Sequence, residues 1–284
     1  MQIFDSHCHL NAEPLYSGEP SFFPAKKLTQ FKNKTWQDHW QTAQQHGVVG
    51  MIIVGTDADS SQTALQIAQQ DKNLWAIVGL HPEESVENSA QENEQELQQI
   101  KILLRNNNVV GVGEVGLDYY YLTDQNREQI IAQQKKLFIA QIQLANEFEL
   151  PLILHVRDKN NSRRAYDDCL DLVKQHYQQK KPFLLHCVSG PEDYIQQALS
   201  LGAYISLAGN VTFKNAKNLK KIAKMTPTDK LLVETDAPFL APEPFRGQIN
   251  QPYMISETVK YLQEKLQINP ADLLNNTKKL FELP

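Results

Sequence analysis

The chain has 284 residues, of which 41% are hydrophobic and 21% charged, an ordinary composition for a globular protein. No apolar run approaches the roughly 20 residues of a membrane-spanning helix, so we expect no membrane contact. The net charge of -5 argues against a non-specific nucleic-acid coat, but a nucleic-acid substrate held beside bound metal remains compatible with it. We expect a cytoplasmic protein for two reasons. The three cysteines show no metal-finger spacing, and the first predicted strand begins too early for a signal peptide to precede it.

Short apolar runs alternate with amphipathic stretches along the whole chain. The predicted strands are Ile3–Asp5, Val48–Val54, Leu74–Leu80, Val109–Glu114, Leu152–His155, Phe183–His186, Tyr204–Leu207 and Leu231–Glu234. The predicted helices are Asp38–His46, Ser61–Gln70, Glu92–Arg105, Gln125–Glu149, Arg164–Gln178, Glu192–Ser200, Lys217–Met225 and Ile255–Leu266. Strand runs such as MIIVG and LLVE are rich in aliphatic residues, which is typical of strands buried on both faces.

This alternation predicts the fold class. Eight strand–helix pairs without a break in composition indicate an α/β protein, a TIM (β/α)8 barrel that forms a single domain over residues 1–284. A doubly wound open sheet is the structural alternative, because the order of the strands cannot be read from the sequence.

Polar side chains cluster where the predicted strands end. In a strand, residues i and i+2 point to the same face, so His7 and His9 converge while Cys8 points away. The residues that follow a strand in this way are His7, His9, His81, His155, His186, Glu114 and Asp236. Each alone could be a core histidine or a helix cap, but the C-terminal ends of the strands meet at one mouth of a barrel. Four of these histidines and the two carboxylates would suit a pair of divalent ions that share a carboxylate.

The remaining histidines follow a different pattern. His39, His46 and His176 lie within predicted helices. We therefore expect them at the surface and outside the site.

Ordered motifs carry a family resemblance. DSHCHL, GLHPE, GVGEVGLDYY, LPLILHVRD, HCVSG, LLVETDAPFLAP and FRGQINQPYM follow one another from end to end. In this order they resemble the TatD family of metal-dependent deoxyribonucleases, which belongs to the amidohydrolase-like barrels.

The resemblance implies a set of metal ligands and their roles. His7, His9 and Asp236 would hold one divalent ion, His155 and His186 the other, and Glu114 would bridge the two. Asp236 is also the candidate general base, which together with the bridging Glu114 makes up the expected catalytic pair. Ligands of these types accept Mg, Mn or Zn, so the sequence does not name the metal.

The implied activity is hydrolysis of phosphodiester bonds at single-stranded DNA ends, from the 3′ end, with no obligate protein partner. A hydrolase of the same fold that cleaves an ester or amide, such as the aminoacyl bond of D-aminoacyl-tRNA, is one alternative. A non-enzymatic metal-loaded scaffold is another, although an intact ligand set argues against it.

Three further residues are candidate substrate contacts. Arg157 could grip a phosphate or form an ion pair with Asp158. His81 could contact a phosphate oxygen or orient a metal ligand. Lys214 begins a lysine-rich stretch that extends to Met225 and could bind a nucleic-acid backbone or simply face solvent.

The sequence departs from the family pattern near the first motif and near the end. Asn11 stands where the family has Asp, and Gln251 replaces the Glu of an NEP motif. The stretch between His9 and Gly47 looks roughly 15 residues longer than is usual in the family. It carries aromatic residues, prolines and lysines, so it is predicted to be a nucleic-acid-binding loop over the mouth, or alternatively packing for the outer helices.

Overall fold

The protein, described by a computed structural model over residues 1–123, 125–159, 162–178 and 180–284, is a parallel barrel. The strands are β1 Ile3–Cys8, β2 Val48–Val54, β3 Leu74–Val78, β4 Val109–Asp118, β5 Leu152–Arg157, β6 Phe183–Leu185, β7 Tyr204–Leu207 and β8 Leu231–Val233. Each strand pairs with the next in parallel, from β1 to β8. The sheet closes where the Ser6 hydroxyl donates to the Val233 carbonyl (2.9 Å) and the Asp236 amide to the His7 carbonyl (3.0 Å). The predicted TIM barrel is confirmed.

The barrel has two apolar layers. One fills the lumen with a side chain from every strand: Phe4, Ile52, Ile77, Val110, Ile153, Leu184, Tyr204 and Leu232. Leu280 and Phe281 join this cluster and cover one end of it. The other layer lies between the strands and the surrounding helices, where Met51 and Ile53 alternate with Ile52 along β2. Because both faces of the strands are buried, the strand sequences are largely apolar, with polar residues near the ends that form the mouth.

Helices surround the barrel. They are α1 Ala25–Leu28, α2 Trp36–Gln45, α3 Ala58–Ala68, α4 Glu84–Glu87, α5 Ala90–Leu103, α6 Arg127–Phe148, α7 Arg164–His176, α8 Glu192–Ser200, α9 Lys217–Met225, α10 Ile255–Leu266 and α11 Pro270–Leu280. Capping residues fix the starts of several helices. Asp57 accepts a hydrogen bond from the Ser60 amide at the start of α3. Asn269, the residue before Pro270, accepts one from the Ala271 amide at the start of α11. Across the described ranges, no helix combines the length and the apolarity that a bilayer crossing requires.

The connection between β1 and α2, predicted as a loop, contains short helical segments. Residues 25–31 form a short helix followed by a 3-10 turn, and Leu15 and Phe31 are fully buried. The ring of Phe31 lies 5.6 Å from that of His39, so His39 is buried and the expectation that it lies at the surface is wrong. Burial lowers the pKa of His39 to about 4, since the charged imidazolium is poorly solvated there.

Candidate metal centre

Glu114 lies at the centre of the polar cluster. Strands β1, β5, β6 and β8 also end at this mouth of the barrel, so residues at or just after their C-terminal ends surround Glu114. Its Oε2 is 3.4 Å from His7 Nε2 and 3.5 Å from His9 Nε2. Its Oε1 is 2.6 Å from His155 Nδ1 and 2.7 Å from His186 Nε2. Each carboxylate oxygen therefore faces its own pair of histidines.

We call His7, His9 and Asp236 the first half of the centre. The Nε2 atoms of the two histidines are 3.3 Å apart, and Asp236 Oδ1 lies 3.5 Å from His9 Nε2. His9 Nδ1 donates to the Val54 carbonyl at 3.1 Å, which leaves the Nε2 lone pair directed at the centre. Cys8 points away into the core, as the strand period predicts.

Asp236 reaches the centre through an unusual backbone conformation. It follows β8 with a φ of 54°, in the left-handed region that Asp tolerates better than most residues. Its amide is held by the His7 carbonyl, and its carbonyl accepts from the Phe239 amide at 2.8 Å. This tight turn places the carboxylate beside His9 and sets Phe239 next to it.

His155 and His186 form the second half of the centre. His155 Nδ1 and His186 Nε2 are 3.3 Å apart, both facing Glu114. On the opposite side of each ring lies a buried carboxylate: Asp118 Oδ2 is 3.1 Å from His155 Nε2, and Glu234 Oε1 is 3.4 Å from His186 Nδ1. Such carboxylates orient histidine ligands and strengthen them as bases.

The ionisation of the cluster reflects these contacts. Burial by itself would lower the pKa of His155, but the hydrogen bonds to Asp118 and Glu114 raise it to about 9. Burial would likewise raise the pKa of Glu114, but the charge of His186 and the bonds from His155, His186 and His7 hold it well below its usual range. The pKa of His7 is lowered by burial and by His186. The centre thus holds an ionised carboxylate within a ring of imidazoles.

This donor set fits divalent ions. The groups within metal-binding reach of one another include His7 with His9 and Glu114, and His81 with Glu114 and His155. Ring nitrogens 3.3 Å apart that share one carboxylate oxygen are arranged as a cation requires, whereas histidines buried for packing alone do not need to converge. Buried His and Glu clusters therefore support a binuclear metal site.

His81 lies at the edge of the second half. Its Nε2 is 3.7 Å from Glu114 Oε1 and its ring is 4.4 Å from that of His155. Burial and the neighbouring His155 charge lower its pKa to about 3, so the ring is neutral. Because the Glu83 amide donates to Nδ1 (3.3 Å), the ring proton is on Nε2, which points to the centre as a donor.

Arg157 lies beside the second half, two residues after His155 on β5. Its guanidinium stacks 3.9 Å over the ring of Tyr120 and is 5.1 Å from that of Tyr121. The alternative of an ion pair with Asp158 is wrong, since Asp158 instead accepts from Ser162 Oγ and the Ala165 amide at the start of α7. Within the described ranges, no carboxylate lies within ion-pair distance of Arg157.

A cavity of about 570 Å³ opens next to this arginine. Its lining includes Tyr120, Arg157, Lys159, Tyr166 and Ser189. The lining offers both cations and aromatic faces at the mouth of the barrel.

Lys214 is exposed in the loop after β7, outside the cluster formed by Glu114 and the histidines. In the following helix, Lys220 donates to the Phe213 carbonyl and Lys221 pairs with Glu192. Two lysines of the basic stretch are thus engaged within the protein, and the substrate contact of Lys214 stays a prediction.

Asp118 and Glu234 are the residues that the sequence interpretation missed. Each lies close in sequence to a carboxylate already assigned to the site: Asp118 is four positions after Glu114, and Glu234 is two positions before Asp236. Asp118 and Glu114 both lie in β4, where this spacing is typical of side chains on one face. Glu234 and Asp236 come just after β8, so there the signal is their position at the C-terminal end of a strand.

Comparisons with known proteins agree with this geometry. A family model described as "TatD related DNase" matches residues 4–283. An uncharacterised metal-dependent hydrolase of Mycoplasma pneumoniae is 34% identical, over 99% of this chain and 100% of that protein. The metal-dependent hydrolase YabD of Bacillus subtilis is 30% identical over 99% of both chains. The crystal structure of YjjV, a TatD homologue from Escherichia coli, superposes with a TM-score of 0.80 at 28% identity, over 99% of this chain and 98% of that one.

Proposed function

Because this chain belongs to the family of TatD-related DNases, we propose that it is a metal-dependent phosphodiesterase that removes nucleotides from the 3′ end of single-stranded DNA. The observation that carries the proposal is the position of Glu114, whose two oxygens each face a separate pair of histidines. A shared carboxylate between two donor sets is the arrangement that in-line displacement at phosphorus uses.

The ligand assignment follows from the two halves. His7, His9 and Asp236 would hold one divalent ion and His155 and His186 the other, with Glu114 between them. Ions there would supply positive charge for the phosphate and lower the pKa of water. Asp118 and Glu234 would keep His155 and His186 in the orientation that binding needs.

Asp236 is the proposed general base. It is the carboxylate at the open edge of the centre, 9% exposed, whereas Glu114 is enclosed by histidines that hold it ionised. A carboxylate at this position can orient the attacking water and accept its proton.

Arg157 and His81 are the proposed phosphate contacts. The Arg157 guanidinium has its planar face on Tyr120 and its N–H groups available, which suits a non-bridging phosphate oxygen. The neutral His81 offers an Nε2 proton to the same region. Lys214 is a further candidate contact for the backbone of a longer strand.

The test uses the purified protein reloaded with Mg²⁺, Mn²⁺ or Zn²⁺ and three end-labelled substrates: single-stranded DNA, RNA and D-aminoacyl-tRNA. We expect shortening of the DNA from its 3′ end and up to two ions per chain by elemental analysis. His155→Ala should lose one ion preferentially, because only the second half is altered. Release of the amino acid from tRNA without DNA cleavage would refute the proposal, as would a wild type that binds no divalent ion.

A further inference from the structure

Three phenylalanines form a patch at the mouth, and we call Phe22, Phe23 and Phe239 the aromatic patch. Phe22 and Phe23 lie in the long β1–α2 connection, and Phe239 follows β8. The ring centroids of Phe22 and Phe23 are 4.3 Å apart. Those of Phe22 and Phe239 are 6.0 Å apart with the rings 15° from parallel. The patch therefore joins two segments that are distant in the sequence.

The aromatic patch is exposed although it consists of apolar rings. Phe22 is 75% and Phe239 is 40% exposed. Among the described residues, the large aromatic side chains that are exposed are these two and Tyr121, and all three follow the C-terminal ends of strands. Exposed apolar surface that is concentrated at one functional mouth marks a binding surface.

The aromatic patch borders the metal centre directly. The Phe239 ring lies 6.1 Å from the ring of His9 in an edge-on arrangement, and the Phe239 amide holds the carbonyl of Asp236. A phosphate at the first half of the centre would therefore have its adjoining chemical group beside Phe239.

The connection that carries Phe22 is basic. Residues 11–35 contain four lysines, at positions 26, 27, 32 and 34, and two glutamates, at positions 13 and 19, in a chain whose net charge is -5. None of the four lysines forms an ion pair within the described ranges. The ligand that matches flat aromatic faces and lysines on the same connection carries both a planar apolar group and negative charge.

The connection is also anchored, so the patch has a defined position. Phe31 is fully buried against His39, and the Trp36 amide donates to the Tyr16 carbonyl at 2.9 Å. Lys27 Nζ donates to the Gly247 carbonyl on the other side. Phe22 is largely exposed on this anchored connection, so a ligand would meet a surface that is already in place.

We propose that Phe22 and Phe239 form a stacking surface for a base of single-stranded DNA next to the phosphodiester that is cleaved. The proposal rests on the proposed function and assigns to the long connection the role of a substrate-binding element. Stacking on a phenyl ring does not distinguish between bases, so the surface would bind strands of any sequence.

The test compares wild type with Phe22→Ala, a change at an exposed side chain. The substrates are a single-stranded oligonucleotide and two versions that lack the base at the last or the next-to-last 3′ position. We expect Phe22→Ala to raise KM for the normal strand by about tenfold, the scale of one missing base–aromatic stack, with unchanged kcat and metal content. Removal of the stacked base should raise KM for wild type but have little further effect on the variant.

Two control variants and the wild type distinguish failure of the stacking proposal from failure of the proposed function. Phe22→Trp should restore KM because it restores a stacking face. Ile102→Ala, the truncation of another exposed apolar side chain on α5, should change nothing. An undiminished penalty for the missing base in Phe22→Ala, or a KM unchanged from wild type, would overturn the stacking proposal and leave the proposed function intact. Failure of wild type to cleave any of the DNA strands would refute both.

Discussion

The two halves of the metal centre are built against different surroundings. Behind His9 stand a main-chain carbonyl and the ring of Phe239. Behind His155 and His186 stand two buried carboxylates, and beside them Arg157 stacks on Tyr120. The first half therefore borders apolar surface and the second half borders charge. Under the proposed function, the bases of a DNA strand would meet the apolar wall of the mouth and its phosphates would meet the charged wall.

The largest expected effect comes from Asp236, the carboxylate of the first half. Asp236→Asn keeps the size of the side chain but removes its charge and basicity. We expect kcat to fall by about 10²-fold or more on normal and abasic strands alike, since proton transfer does not depend on the base. Thermal unfolding should change little. Single-turnover rates with matched metal content measure this, and near-normal turnover would exclude Asp236 from the mechanism.

The fold was predictable from the sequence because a parallel barrel imposes a regular pattern. Strands buried on both faces read as apolar runs, and ligands placed at their ends stand out by position. His7, His9, Glu114, His155, His186 and Asp236 are all brought together by this one rule.

Other features depend on contacts that no local pattern encodes. The partnership of Asp118 with His155 requires the register between β4 and β5, which the sequence does not specify. The burial of His39 depends on Phe31, which folds back from the long connection. The meeting of Phe22 with Phe239 likewise depends on tertiary structure. For the same reason, a deletion that reaches Phe31 would remove a core residue, so a single substitution at Phe22 is the better test.

The second-largest effect should come from the charged wall. Arg157→Ala removes the guanidinium, and we expect kcat/KM to fall by about tenfold or more, as for loss of a hydrogen bond to a charged group. The loss should be equal for normal and abasic strands, in contrast to Phe22→Ala. Arg157→Lys should recover only part of it, because an ammonium lacks the planar fork. Arg105→Ala, an exposed arginine just after α5, is the matched control. A loss that depends on the base would mean that Arg157 and the aromatic patch do not contact separate parts of the strand.

The third effect concerns protons and sharpens the contrast between the halves. In the metal-free protein the pKa of His155 is about 9, above its ordinary value of 6.5. The ring is therefore protonated at pH 7 and must lose that proton to bind metal. Burial would lower the pKa of His186, but Glu114 and Glu234 raise it well above its usual value, so this ring must also lose a proton. Affinity at the second half should therefore rise by at least about tenfold per pH unit up to about pH 9. Titration calorimetry in buffers of different ionisation enthalpy measures the protons released. Asp118→Asn, which removes the negative charge of the acceptor that raises this pKa, should reduce the release at pH 7, and binding without any proton release would contradict the assignment.

The smallest effect should come from the lysines of the β1–α2 connection, which also carries Phe22. Lys26 and Lys32 are exposed and, within the described ranges, outside any ion pair. If they meet phosphates of the bound strand, Lys26→Gln with Lys32→Gln should raise KM by a few-fold at low salt. The slope of log KM against log salt should fall by about 0.7 for each phosphate that is no longer neutralised. Lys265→Gln with Lys279→Gln, exposed on α10 and α11, removes the same charge elsewhere and serves as the control. An equal change in both double variants would show that only the overall charge matters. Arg157 would then be the residue that binds phosphate, and the aromatic patch would contribute only base stacking.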